Sequence, residues 1–121
     1  MQVEKLTSGA LDFIDYAILY VVYSLNTETS RKVINKVIAR AVLIRGDMLE
    51  PLKDFLDALK INHFGWVIKN VYERLRRLED IGLVRLRLDG KRLFASPTPS
   101  IDRETMLRIA EERLPRELLS T

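Results

Sequence analysis

Four basic side chains, Arg85, Arg87, Lys91 and Arg92, crowd around the dipeptide Asp89-Gly90. Just upstream, Lys69, Asn70, Tyr72, Glu73, Arg76 and Arg77 fall at helical spacing. The chemistry open to such a set is recognition of a polyanion. Guanidinium and ammonium groups neutralise phosphates, Arg can bond guanine through two hydrogen bonds, Asn can pair with adenine, and Glu can accept from the cytosine amine. Catalytic constellations are missing from the sequence. There is no cysteine, and His63 stands alone without the partners of a zinc site or a triad. No glycine-rich phosphate loop, His-Glu helical pair or serine elbow occurs. The paired acids Glu79-Asp80 and Glu111-Glu112 are adjacent on helical stretches, so they diverge. The expectation is a binding protein rather than an enzyme, with no metal and no cofactor.

These residues need positioning elements, and the stretch Trp66 to Pro97 supplies them. Ile68, Val71, Leu75 and Leu78 recur at helical spacing and predict a helix from Trp66 to about Asp80. Ile81-Gly82 ends it, since glycine tolerates the left-handed conformation of a helix C-terminus. From Val84 to Leu88 apolar and basic residues alternate as in a half-buried strand. Asp89-Gly90 is a strong hairpin signal, read here as a turn with positive φ at both central residues. Lys91 to Ser96 returns as the partner strand, and Pro97, which has no N–H to give, stops the pairing.

A helix with a polar outer face leading into an Arg-rich hairpin resembles the winged helix-turn-helix of DNA-binding regulators. The run LRRLEDIGLVRLRLDGKRLF (Leu75 to Phe94) is similar to the recognition-helix end and wing of MarR-, ArsR- and PadR-type repressors. The resemblance covers about a quarter to a third of the chain. It implies a groove-facing role for Lys69, Tyr72, Glu73 and Arg76, with Asn70 and Arg77 toward a phosphate-contacting flank. It implies a wing role for Arg85, Arg87, Lys91 and Arg92.

The bulk composition is compatible with this. At 121 residues and 47% hydrophobic side chains, the chain suits one domain with a single core. Net charge is only +3, but its distribution is uneven. Residues 1–60 hold eight basic and eight acidic side chains, whereas residues 61–97 hold eight basic and four acidic. The excess lies where a phosphate-binding footprint is expected. No signal sequence is visible and the longest apolar run, Tyr16 to Tyr23, is too short to span a bilayer, so the reading is a cytoplasmic protein without a membrane partner.

In chain order, residues 10–45 read as two helices. The first, about Ala10 to Leu25 with Thr7 or Ser8 as cap, carries one aliphatic stripe and a second stripe of Phe13, Tyr16, Ala17, Tyr20 and Tyr23. A surface helix needs only one. The second stripe is therefore assigned to a homodimer interface, the alternative being coverage by the C-terminal helix of the same chain. The second helix, about Arg31 to Ile44, shows a basic line Lys32, Lys36 and Arg40 opposite a broad apolar face. Met48 and Leu49 are the expected short strand against the wing. Residues 50–81 read as the helix-turn-helix, broken at Gly65, with Trp66 as a plug between its helices. Residues 83–96 are the wing and 101–114 a last helix with Ser100 as cap and Asp102 in its first turn.

The predicted fold is thus α+β, mostly α: a winged helix-turn-helix with two N-terminal helices, a two-stranded wing and a C-terminal helix. The expected function is a homodimeric, sequence-specific regulator of transcription that binds double-stranded DNA. A small-molecule effector is compatible with this, though no residue names one. The alternative is a winged-helix interaction module in a larger assembly, without DNA affinity. Each basic feature also has a plain structural explanation. Glu73–Arg77 and Arg76–Asp80 are spaced for helix-surface ion pairs, and bases on edge strands deter pairing with other chains.

Overall fold

The structure is a computed structural model that describes residues 11–45, 59–62 and 65–114. Those residues build an α+β fold of four helices, a three-stranded antiparallel sheet and a separate two-stranded hairpin. The order is α1 (Phe13–Leu25), β1 (Thr29–Ser30), α2 (Arg31–Arg45), β2 (Leu59–Asn62), β3 (Gly65–Ile68), α3 (Val71–Asp80), β4 (Val84–Asp89), β5 (Arg92–Pro97) and α4 (Arg103–Arg113).

Helix α1 starts later than its apolar pattern suggests because Asp12, not Thr7 or Ser8, caps it. The Asp12 carboxylate accepts from the Asp15 amide at 3.0 Å, and the Asp15 carboxylate accepts from the Asp12 amide at 3.3 Å. This reciprocal box satisfies two of the amides a helix start leaves open. At the other end Asn26 takes a left-handed conformation, φ 52°, and closes the helix through its amide to the Val22 carbonyl. The chain then reaches Thr29 and Ser30. Ser30 Oγ accepts from the Val33 amide at 3.1 Å, capping α2.

The three-stranded sheet has the order β1-β5-β4, and its outer pair is the expected hairpin. Asp89 faces Arg92, so the central turn residues are Gly90 and Lys91 rather than Asp89 and Gly90. Only Gly90 has positive φ, which is the type II′ pattern and corrects the turn read from sequence. The strand that pairs with this hairpin is Thr29–Ser30, through Thr29 to Ala95 and Ser30 to Phe94. Met48 and Leu49, the expected strand against the wing, lie outside the described residues.

Helix α3 is shorter than expected. Trp66 to Ile68 form a strand paired with Leu59–Asn62, so Ile68 is not part of the helix and the expected helix-turn-helix pair across Gly65 is corrected. The rest of the expected third helix, residues 50–58, and His63 lie outside the described residues. The end of α3 follows the sequence signal closely. Leu83 N–H donates to the Leu78 carbonyl, Gly82 N–H donates to the Glu79 carbonyl, and Gly82 has φ 83°. That is a Schellman ending, which only a residue free to adopt positive φ accommodates without strain.

The core gathers under α1. Ile14, Ile18, Leu19 and Val22 meet Ile34, Ile38 and Val42 of α2, Leu75 and Leu78 of α3, Leu93 and Ala95 of β5, and Met106 and Ile109 of α4. Helix α1 packs most extensively on α4, which Asp102 caps through the Thr105 amide at 3.0 Å. Asp102 is therefore the cap, in place of Ser100. This packing changes the meaning of the aromatic stripe. Tyr16, Ala17 and Tyr23 are buried inside the single chain, Tyr20 is half-buried against the core, and Phe13 is exposed. Burial within the single chain accounts for Tyr16, Ala17 and Tyr23, so these three no longer call for a second copy.

Tyr23 also ties three segments together. Its hydroxyl donates to the Leu83 carbonyl at 2.6 Å and accepts from the Thr98 amide at 3.3 Å. Burial raises its pKa above the ordinary tyrosine value, against the opposing hydrogen bond from Thr98. Tyr23→Phe strands the Leu83 carbonyl and the Thr98 amide. Denaturant unfolding should show a loss of about 1–3 kcal/mol, the cost of unsatisfied buried polar groups.

Candidate nucleic-acid interface

The outward face of α3 carries Tyr72, Glu73, Arg76 and Asp80, all exposed. Leu75 and Leu78 anchor the opposite face in the core. Lys69 and Asn70 lead into the helix and are also exposed, and Asn70 is the N-cap in a left-handed conformation, φ 58°. Arg76 Nη1 donates to the Tyr72 hydroxyl at 3.1 Å, and the guanidinium sits over that ring at 6.0 Å from its centre. The hydrogen bond to Tyr72 raises the pKa of Arg76 further. Its acidic neighbour at ion-pair distance is Glu79, at 4.0 Å, rather than Asp80.

Arg77 is placed differently from its expected flank role. Its guanidinium binds the Asp15 carboxylate on α1, and Asp15 is fully buried. Arg74, which the sequence reading passed over, lies beside it. Arg74 Nη1 donates to both Asp12 oxygens at 2.7 Å and to Asp15 Oδ1 at 3.2 Å. Two carboxylates and two guanidiniums thus lock the start of α1 to the inner flank of α3. Burial raises the pKa of Asp15, assisted by the charge of Asp12. Burial also opposes ionisation of Asp12, but hydrogen bonds from Arg74 and the Asp15 amide outweigh it and hold that pKa low. The signal was present in sequence only as Asp12 and Asp15 at capping-box spacing.

Alternation along β4 and β5 splits the hairpin into two faces. Val84, Leu86, Leu93 and Ala95 look inward, buried or half-buried, while Arg85, Arg87, Arg92 and Phe94 look outward. Arg87 is already engaged. Its Nε and Nη2 donate to the two oxygens of Glu28, at 2.6 and 2.9 Å, and the guanidinium stacks 4.7 Å from the Phe94 ring centre. The hydrogen bond from Arg87 lowers the pKa of Glu28, so the pair stays ionised at neutral pH. Lys91 and Arg92 at the tip are exposed and make no ion pair among the described residues, and the same holds for Arg85. Arg85 lines a shallow groove of about 410 Å³ with Asn26, Thr27, Ser96 and Arg103. Arg103 is committed there to the last carbonyls of α1, donating to Tyr23 and Ser24 at 2.9 and 3.1 Å.

The helix and the hairpin are mechanically joined. The Glu79 carboxylate accepts from the Leu86 amide at 3.0 Å, fixing the end of α3 against β4. The arrangement therefore brings Tyr72, Glu73 and Arg76 together on α3, with Lys69 in the turn before it, and holds Arg85, Lys91 and Arg92 on the following hairpin. It draws Arg77 and Arg87 into intramolecular ion pairs. No metal-binding group of three or more His, Cys, Asp or Glu occurs among the described residues, and no described helix is long and apolar enough to cross a membrane.

Comparison of the chain with family models, with curated proteins and with solved structures finds no match.

Proposed function

We propose that this chain is a winged-helix protein that binds double-stranded DNA and regulates transcription, with α3 as the groove-facing helix and β4–β5 as the wing. The observation that carries the reading is the joint of α3 to an antiparallel hairpin whose exposed cations sit beside the helix's outward polar face. The sheet order β1-β5-β4, with β1 between the first two helices, is the connectivity such a wing requires. One α-helix fits the major groove, and a hairpin at its end reaches the neighbouring backbone. Homodimerisation through Phe13 and the half-buried Tyr20 is the remaining form of the dimer expectation, since Tyr16, Ala17 and Tyr23 are spent within the chain. Light scattering at rising concentration tests it.

The deciding experiment is fluorescence anisotropy of a labelled mixed-sequence duplex, titrated with protein at several salt concentrations. Binding whose log K falls linearly with log salt supports the reading. Absence of binding at low salt overturns it. The competing reading, a protein-interaction module, draws support from Arg77 and Arg87, which are already neutralised by Asp15 and Glu28. The two diverge at Glu28. Under the DNA reading Glu28→Gln frees Arg87 for a phosphate, and the salt slope should steepen by about 0.9. Under the module reading the substitution leaves DNA binding absent. Acid acts in the same direction. As pH falls through the lowered pKa of Glu28, Arg87 is released.

A further inference from the structure

The hairpin β2–β3 is the described element that the proposed function leaves unused. Its register sets Leu59 against Ile68 and Ile61 against Trp66. Side chains alternate along a strand, so these four residues share one face. The inner half of that face is core, with Leu59 5% and Ile68 1% exposed. The outer half is open, with Ile61 68% and Trp66 43% exposed. The base of the hairpin is fixed. The Ile68 amide donates to Asn35 Oδ1 of α2 at 3.0 Å in a buried contact. Two large apolar side chains facing each other are thereby held out in water on a ribbon with an anchored base. Scattered exposed hydrophobics need no explanation, but a paired apolar tip marks a contact site.

Charge and position identify the occupant. Only Lys69 and Asn70 separate β3 from α3, so hairpins adjoin both ends of the proposed groove-facing helix. Helix α2, which packs on β3, carries Arg31, Lys32, Lys36, Arg40 and Arg45 and no acid. The described strands of the hairpin carry Lys60 and no acid. Lys32, Lys36, Arg40, Lys60 and Lys69 are all exposed. A second copy docking here would set these cations against their own kind. A polyanion with apolar surfaces between its charges fits both features, and duplex DNA has that chemistry.

We infer that Ile61 and Trp66 form an apolar wedge that the β2–β3 hairpin sets against the bases of the duplex contacted by α3. The inference rests on the DNA-binding reading. Apolar wedges enter between base steps, unstack them in part and kink the duplex, and an aromatic face stacks on a base without regard to sequence. The basic line of α2 would hold the flanking phosphates.

Trp66 is the sole tryptophan, so its emission reports this site alone. Unlabelled mixed-sequence duplex is titrated into the protein while Trp66 emission is followed. In parallel, anisotropy of a labelled duplex measures affinity, and energy transfer between dyes at the duplex ends measures bending. Quenching on binding is expected. Trp66→Ala should weaken binding about tenfold, by the known range for loss of base stacking, and relax the bend, while Trp66→Phe keeps most of both. Circular dichroism of each variant checks that the fold survives. Duplex binding with unchanged Trp66 emission and unchanged affinity of Trp66→Ala overturns the wedge and leaves the DNA reading intact. No duplex binding overturns both. A blue shift of Trp66 with protein concentration alone, without DNA, assigns the pair to a second copy and overturns the wedge.

Discussion

Replacing Asp15 by alanine should destabilise the fold by about 1–3 kcal/mol, the cost of leaving the buried groups it bonds unsatisfied. Asp15 is fully buried and takes charge from both Arg74 and Arg77. Arg74 is itself only 19% exposed, and its Nε is buried without a hydrogen-bond partner. It keeps Asp12 as its acceptor, at 2.7 Å, when Asp15 is removed. The capping box falls at the same time, because the Asp12 amide loses its acceptor. Asp15→Asn should cost much less than Asp15→Ala. Burial raises the pKa of Asp15, so the fold favours the neutral carboxyl, and asparagine keeps an oxygen for the Asp12 amide. The sign follows for pH. Asp15 contributes stability that is present below the ordinary carboxylate pKa and lost as pH rises through its raised value. Asp12, whose pKa is lowered, contributes stability present above the ordinary value and lost as pH falls. The two oppose each other, so the wild type should show a shallow pH dependence in the acid range. Removing Asp12's charge by Asp12→Asn should leave a stability that weakens with rising pH. Urea unfolding across that range checks the magnitudes and the slopes.

The parts of the fold that sequence reveals are those governed by local physics. The Schellman ending at Gly82, the alternation of Val84 to Leu88 and the closing of β5 at Pro97 depend on residues within a few positions of each other. The stretch before α3 misleads for an equally local reason. Ile68 lies at the right spacing from Val71 and Leu75 to extend a helix. Yet Trp66-Val67-Ile68 is also an aromatic and β-branched run, which favours a strand once a partner is available. The partner, Leu59-Lys60-Ile61-Asn62, alternates apolar and polar. The helical and strand periods therefore compete there, and the strand period wins once the partner pairs.

Other features are set at long range and leave no local mark. That α1 packs on α4 depends on contacts between residues some 80 or more apart in sequence, and stripe counting on one helix cannot choose between burial in the chain and a second copy. The same holds for the candidate site. Arg77 and Arg87 look like free cations at groove and wing positions, but each meets an acid from α1 or the loop after it, Asp15 and Glu28. A charge pattern read along one segment overcounts the cations free for a ligand, because folding spends some of them. Among the described residues, the expected site cations that make no ion pair are Lys69, Arg85, Lys91 and Arg92, while Arg76 has Glu79 at 4.0 Å.

Charge reversal at three of these gives the sharpest test of what the wing does. Arg85→Glu, Lys91→Glu and Arg92→Glu together replace three exposed cations that make no ion pair among the described residues. The fold should be unaffected, since the inward face of β4–β5 is untouched and surface charges contribute little to stability. Under the proposed DNA reading, affinity for a duplex should collapse. Each neutralised phosphate adds about 0.9 to the slope of log K against log salt, which makes one contact worth about eightfold between 1 M and 0.1 M salt. Three contacts then amount to about 500-fold at 0.1 M salt on the same basis, before added repulsion. The salt slope should fall by about 2.7. Arg76→Glu on α3 should differ in kind, because a helix in the major groove reads bases as well as phosphates. Arg76→Ala should reduce discrimination between duplexes with little change in salt slope, while the wing variant weakens all duplexes alike. Anisotropy with a mixed-sequence pool and with individual duplexes selected from it separates the two. Equal loss of discrimination in both variants would mean that α3 and the wing do not divide the work between base and backbone.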